Sequence, residues 1–550
     1  MKFPEEPDQQ FLFFISSTAS TRIYQTMGST AKSYSILPIS DNLDYPRARH
    51  LLDRCMFGAR KSEVEALVGK SISAALATLT QAVPAPNPPV SYDARDTDVA
   101  LGQTWINAAY NSTFNTYRMR SLRSWWIGQM MQQSTSLVDK MTLFWHNHLV
   151  TETAGVNYAT LFYQYQQLLR KYALGNVKQL IYEITVNPAM LIYLNGESNK
   201  ASAPNENYGR ELFELFTIGK GPLVADGNYT NYSETDIREA AKVLTGWLVN
   251  RTTSIAYYDT ARHDKTTKVF TDAFGKASIT NKEAEEYKSL VDMIFSKKET
   301  ARYLVRKLYR WLMYYQIDQM VEEQVIEPLA TTLFNNNYEV KPVLVQLLSS
   351  EHFFSTDFFG SQIKSPLDFT VGLYRKCEIA LSPNVLANYE AWYEVYNSCL
   401  NMEMALGDPP DVAGWPQYYK DPSYYELWVN SATVPMRTSF TDTFCASGIT
   451  KAGFNFVIDP FVLAGRVSNP SDVLSLINGI AQVLLPVVLS TVQIQQLKEE
   501  LIPGLPESTW TFEWNKYAGN PNDTAQKLLI GKKLQALLKS MMRLPEFYLS

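Results

Sequence analysis

Two histidines, His146 and His148, stand two residues apart in the aromatic stretch MTLFWHNHLV, in a chain of 550 residues that holds only five. Imidazole is the commonest metal ligand and the usual proton carrier near neutral pH. Such a pair in an apolar run does chemistry or serves as a polar fixture in a core. On an α-helix, residues two apart point about 200° away from each other. Both rings therefore reach one metal only where the helix ends or the chain is extended, and the H-E-x-x-H pattern that puts two ligands on one face is absent. The alternative is one imidazole hydrogen-bonded in the core while its neighbour faces solvent.

A second stretch, NENYGRELFELF, places Asn207, Arg210, Glu211 and Glu214 on one helical face and Leu212, Phe213, Leu215 and Phe216 on the other. Glu211 and Glu214, one turn apart, are candidate carboxylates for metal ligation or acid–base work. Equally, this is the solvated face of an amphipathic helix with Arg210 and Glu214 paired. In YYDTARHDKTTKVF, His263 stands beside Asp264 in a polar loop, better exposed than the other two histidines. A carboxylate there fixes the ring for a metal or relays a proton. Finally, GDPPDVAGWPQYYKDPSYYELW sets Trp415, Tyr418, Tyr419, Tyr424, Tyr425 and Trp428 between prolines. Such rings stack on sugars or on a partner, or plug a small core. No Walker A, G-x-S-x-G or G-x-G-x-x-G pattern occurs, which removes the main support for nucleotide-binding, α/β-hydrolase and Rossmann readings.

The elements that position these residues read as helices. PRARHLLDRCMFGARKSEVEALV opens at Pro46, breaks at Phe57-Gly58 and resumes with Ser62 as the expected N-cap. A Pro-rich connector, Ala82 to Asp96, leads into long helices from about Thr104 to Ile184. PNENYGRELFELFTIGKG carries a helix start after Pro204 and a stop at Gly219 and Gly221, and SETDIREAAKVLTGW has a capping-box spacing at Ser233 and Asp236. The β-branched and aromatic runs at 252–274 suit a small hairpin. No repeat of fixed period is visible, which disfavours a solenoid. The expected fold is mainly α: a multi-helix globular protein with at most a small β-hairpin near 252–274. Residues 1–45 form an N-terminal extension, a candidate for disorder, and 46–550 one large helical domain.

Composition narrows the function classes. Charged residues make up 19% and hydrophobic residues 46%, enough for a large core, and the net charge is −5 with no Lys/Arg block. Nothing points to nucleic acid. No run approaches a membrane span. The N-terminal MKFPEEPDQQFLFFISSTAS has acids where a signal peptide has bases and only a short apolar core, so no export signal is recognisable, and Met27 is an alternative start. Cys55, Cys377, Cys399 and Cys445 are scattered without C-x-x-C. They read as free buried thiols, with Cys377 and Cys399 a candidate pair if their segments form a helical hairpin.

Taken in order, ARHLLDRCMFG, MTLFWHNHLV, NENYGRELFELFTIGKG, YSETDIREAAKVLTGW, ARHDKTTKVF, SQIKSPLDFTVGLYR and GDPPDVAGWPQ resemble the bacterial family called domain of unknown function 1800, from about Pro46 to the closing LPEFYLS. Gly209 stands where alanine is more usual in N-E-N-x-A-R-E-L. The resemblance implies a protein often exported and often encoded beside a sulfatase-like family, domain of unknown function 1501, which is therefore a candidate partner. It implies no activity. His50, His146, His148, His263, Glu206, Glu211 and Glu214 all fall inside the motifs that carry the resemblance.

Two readings follow. In the first, the protein is a metal-dependent hydrolase with a His/Glu site between helices. His146, His148, Glu214 and His263 are candidate ligands of one divalent transition metal (Zn, Mn or Fe). Glu211, Arg210 and Asp264 are catalytic, and Asn205, Asn207, Trp415 and Tyr418 contact a glycan or polar small-molecule substrate. In the second, it is a non-catalytic binding or assembly protein working with the sulfatase-like partner, and WHNH and NENYGREL form a buried hydrogen-bond network.

Overall fold

The computed structural model describes residues 34–225, 228–415 and 428–550. Helices dominate, and the protein is mainly α, as the periodicity predicts. The helix Lys298–Leu312 illustrates the pattern: Ala301, Leu304, Val305, Leu308 and Leu312 are buried, while Arg302 and Arg306 pair with Glu299, Glu322 and Glu327 on the outer face. Two long helices, Ser112–Gln132 and Val385–Asn401, lie side by side. A Cβ on Gly128 would stand 2.6 Å from the Trp392 indole, so a glycine is required where that ring beds against the backbone.

At the centre runs the helix that carries FWHNH, Val138–His148, and every one of its residues is buried. A helix enclosed on all sides has no solvated face. That corrects the expectation that one of the two histidines faces water: both are inside because neighbouring helices cover the whole circumference. Trp145 on this helix is fully buried, which contributes on the order of 3 kcal/mol of hydrophobic stabilisation.

Local starts and stops are mostly as expected. Asp44 caps Tyr45–Cys55, accepting from the Arg47 backbone N–H at 2.8 Å, with Pro46 in the first turn. The expected cap at Ser62 is displaced. The helix Lys61–Glu65 begins after Arg60, whose backbone N–H donates to Glu63 Oε2 at 2.8 Å. Arg375 grips the Glu63 carboxylate through two hydrogen bonds of 2.8 and 2.9 Å, so a tertiary partner sets the register there. Ser233 and Asp236 form the expected capping box ahead of Glu234–Val243.

Four separate two-stranded antiparallel sheets occur among the described residues, more than the single hairpin expected near 252–274. Ile255–Tyr258 pairs backward with Trp247–Asn250, and Lys268–Val269 pairs forward with Ser278–Ile279, so the two β-type runs do not pair with one another. Strands of two to four residues are too short for an alternating pattern to declare its partner. Residues 35–39 run along Ser349–His352 through backbone hydrogen bonds of 2.8–2.9 Å, which ties the entry of the chain to the body. All four cysteines are buried free thiols, Cys377 and Cys399 included. Among the described residues, no helix is long and apolar enough to cross a membrane.

Candidate functional site

Each predicted histidine is held by its own set of partners. His146 is fully buried, with Nδ1 3.0 Å from the Tyr165 hydroxyl. Tyr165 donates its single O–H to Leu149 O at 2.6 Å, so its oxygen accepts from His146 Nδ1–H and fixes the tautomer. Nε2 finds no partner among the described residues, in a box formed by Trp126, Phe162 and Trp415. Burial holds this ring at about 3, far below its ordinary value. His148 donates from Nε2 to Phe216 O at 3.0 Å and stacks on Phe144, and burial, followed by the Lys307 charge, holds it at about 3 as well.

His263 is 3% exposed, which corrects its reading as the more accessible histidine. Its Nε2 meets Glu286 Oε2 at 3.0 Å and its Nδ1 meets Thr245 O at 2.9 Å, and Lys268 pairs with the other Glu286 oxygen at 2.6 Å. Asp264 turns away from the ring: its Oδ1 accepts from Thr266 N and Oγ1 at 2.8 and 2.5 Å. The polar loop is thus folded inward around a buried His–Glu–Lys group.

The NENYGREL segment forms the helix Glu206–Glu211, continued as a π-helical turn from Leu212 to Thr217. The wider π turn breaks the four-residue alignment, so Arg210 and Glu214 do not pair. Arg210 instead grips Glu234 in a bidentate pair at 2.6 and 2.7 Å and reaches Glu206 at 3.2 Å, while Glu214 pairs with Lys220 and accepts from Tyr232. Asn205 caps the helix by accepting from Asn207 N–H, and Asn207 donates to Leu194 O at 3.2 Å. Glu211 differs from the rest. It is half-buried, and no hydrogen bond reaches it from the described residues. Burial, then Glu214 and Asp411, push its carboxyl above the usual range.

His146, Glu211 and His263 share no hydrogen-bond partner among the described residues. Among the described residues, no group of three or more His, Cys, Asp or Glu side chains is arranged to hold a metal ion.

A different set of residues converges. Asn147 sits between the two histidines and clamps the backbone of Trp415, accepting from its N–H at 2.6 Å and donating to its carbonyl at 3.1 Å. Gly414 makes this approach possible: at φ +85° a Cβ there would stand 2.2 Å from Asn147 O. Beside the clamp opens a cleft of about 80 Å³, whose lining includes the indoles of Trp311, Trp415 and Trp428 and the polar side chains of Lys140, Asp368 and Asn147. Lys140 pairs with Asp368 at 2.5 Å, and Asp368 accepts from Ser365, which caps the helix Pro366–Lys376. Tyr418, the other aromatic substrate contact expected from the same stretch, lies outside the described residues, as do Tyr419, Tyr424 and Tyr425.

The family model described as Protein of unknown function (DUF1800) matches residues 50–549. The chain belongs to this family. No curated protein and no solved structure matches it. Three of the stretches that carry the DUF1800 resemblance meet at the cleft: MTLFWHNHLV through Asn147, SQIKSPLDFTVGLYR through Ser365 and Asp368, and GDPPDVAGWPQ through Trp415. Reading the DUF1800 sequence by residue type favoured the scarce histidines and the paired glutamates, and so passed over Lys140, Trp311 and Asp368. SQIKSPLDFTVGLYR was the available signal, a Ser-Pro helix start whose Asp stands three residues after the cap.

Proposed function

We propose that this DUF1800 protein is a non-catalytic binding protein whose tryptophan-walled cleft receives a glycan. The observation that carries the reading is the meeting of three family-marking stretches at one concave site, with flat apolar rings and a few polar groups in its lining, the composition usual for ligand pockets. The histidines support it from the other side: their hydrogen bonds go to Tyr165, Phe216, Thr245 and Glu286, which is how polar groups lock helices in register. Work beside a sulfatase-like (DUF1501) partner is the assembly form of the same reading and rests on the family resemblance. A glycan array probed with the full chain and with Trp311→Ala tests the proposal. Selective binding by the parent that the variant loses is expected; no bound glycan would overturn it.

One observation favours a second reading, hydrolysis. Glu211 is half-buried and takes no hydrogen bond from the described residues, and burial, then Glu214, push its carboxyl up, which is the character of a general acid. Among the described residues no three His, Cys, Asp or Glu side chains are arranged as a ligand set for Zn, Mn or Fe. Metal content by plasma mass spectrometry, on protein purified without chelators or a His-tag, separates the readings. Near-stoichiometric metal in the parent would favour hydrolysis.

A further inference from the structure

Resting on the binding reading, we propose that the Lys140–Asp368 pair is the recognition element of the cleft and selects a pyranose ring with two adjacent free hydroxyls. Lys140 comes from the first turn of the FWHNH helix and Asp368 from the first turn of Pro366–Lys376. Their side chains are only 7% and 20% exposed, yet both line the cleft. An ammonium has three N–H donors and a carboxylate about four lone-pair sites. One Lys140 donor goes to Asp368 Oδ1, and one site on Oδ2 accepts from Ser365 Oγ at 2.8 Å. The Lys140 ammonium also lies 4.9 and 5.4 Å from the ring centres of Phe57 and Trp311, which attract the charge but offer no directed acceptor for its other N–H groups. The pair thus presents unused donors and acceptors side by side in a largely desolvated site.

A hydroxyl donates one hydrogen bond and accepts others. Two hydroxyls on adjacent ring carbons therefore match the pair, one donating to Asp368 and its neighbour accepting from Lys140. The same ring presents a C–H face that packs flat on an indole such as Trp311. Two other ligand classes fit less well. A quaternary ammonium suits an aromatic cage, but the positive charge of Lys140, 5.4 Å from the Trp311 ring centre, would repel it. A nucleobase edge is planar, whereas the Lys140 donors diverge tetrahedrally.

Calorimetric titration of the full chain with methyl glucopyranoside and methyl mannopyranoside, with their O-methylated counterparts, and with adenine and choline tests this. The free pyranosides are expected to bind and the O-methyl ethers to bind at least about tenfold more weakly, the loss of one charge-assisted hydrogen bond. Asp368→Asn, with its fold checked by circular dichroism, is expected to lose the same factor, and Trp311→Ala to weaken both ligand sets. Equal affinity for ethers and free sugars, or an unchanged Asp368→Asn, would overturn the assignment while leaving saccharide binding in place. Preference for adenine or choline would overturn the ligand class. Should variants fail to fold, the ether comparison on the parent still decides. If no saccharide of any kind binds the parent, the binding reading itself falls.

Discussion

Asn147 holds Trp415 by both of its backbone hydrogen-bonding groups, across 268 residues of sequence. The central helix and the cleft wall are therefore linked directly, and of the H-N-H triplet it is the asparagine, not either histidine, that lines the cleft. Asn147→Leu strips both bonds and leaves the Trp415 N–H and C=O unpaired in a buried place. The expected loss is about 2–4 kcal/mol, read as a lower midpoint in urea. An unchanged midpoint would mean that Trp415 is held elsewhere.

Gly414 makes an independent prediction. Alanine there meets both an unfavourable φ of +85° and the Asn147 carbonyl oxygen. Gly414→Ala is expected to cost about 2–4 kcal/mol, whereas Gly453→Ala, where a Cβ would meet nothing within 4 Å despite a positive φ, is expected to cost about 1 kcal/mol. Thermal unfolding of the two variants side by side separates the close approach from the backbone effect.

Acid should destabilise the fold through its histidines. Burial holds His146 and His148 at about 3 against an ordinary 6.5, and holds His50 well below that value. The unfolded chain takes up these protons as pH falls below about 6.5 and the folded chain refuses them, so their contribution is complete above that pH and is lost on the way down. Each ring removes up to ~1.4 kcal/mol per pH unit in that window. A melting temperature that drops steeply between pH 6 and pH 4 is expected. A flat profile there would show that these rings are protonated in the fold.

Glu211 separates the two functional readings. Its folded value is raised, so its charge destabilises the fold above that value, and Glu211→Gln is expected to leave stability unchanged or to raise it by about 0.3 kcal/mol at pH 7, since solvent screens a half-exposed group. Ligand binding in the tryptophan cleft should not change. A hydrolytic activity abolished by this substitution would instead place chemistry at the helix Glu206–Glu211.

Helices with a wet face and an apolar face were legible in the sequence, and so were the helix start after Pro204 and the capping box at Ser233 and Asp236, because these signals lie within one turn. The cleft was not. Lys140 and Asp368 are 228 residues apart, and a cation meeting a carboxylate over that separation leaves no periodic trace. The histidines misdirected for a physical reason: a neutral imidazole both donates and accepts, so it serves a packed core as readily as it serves a metal. The π-helical turn at Leu212–Thr217 likewise has no sequence mark, and it decided that Arg210 would pair with Glu234 in place of Glu214.

The central claim, ligand binding in the tryptophan cleft, is tested most directly by intrinsic tryptophan fluorescence during titration with a mixed panel of oligosaccharides, for the parent and for Trp311→Ala. A saturable change in the parent that is lost in the folded variant is the predicted result. A parent whose emission stays constant across the whole panel would contradict the account.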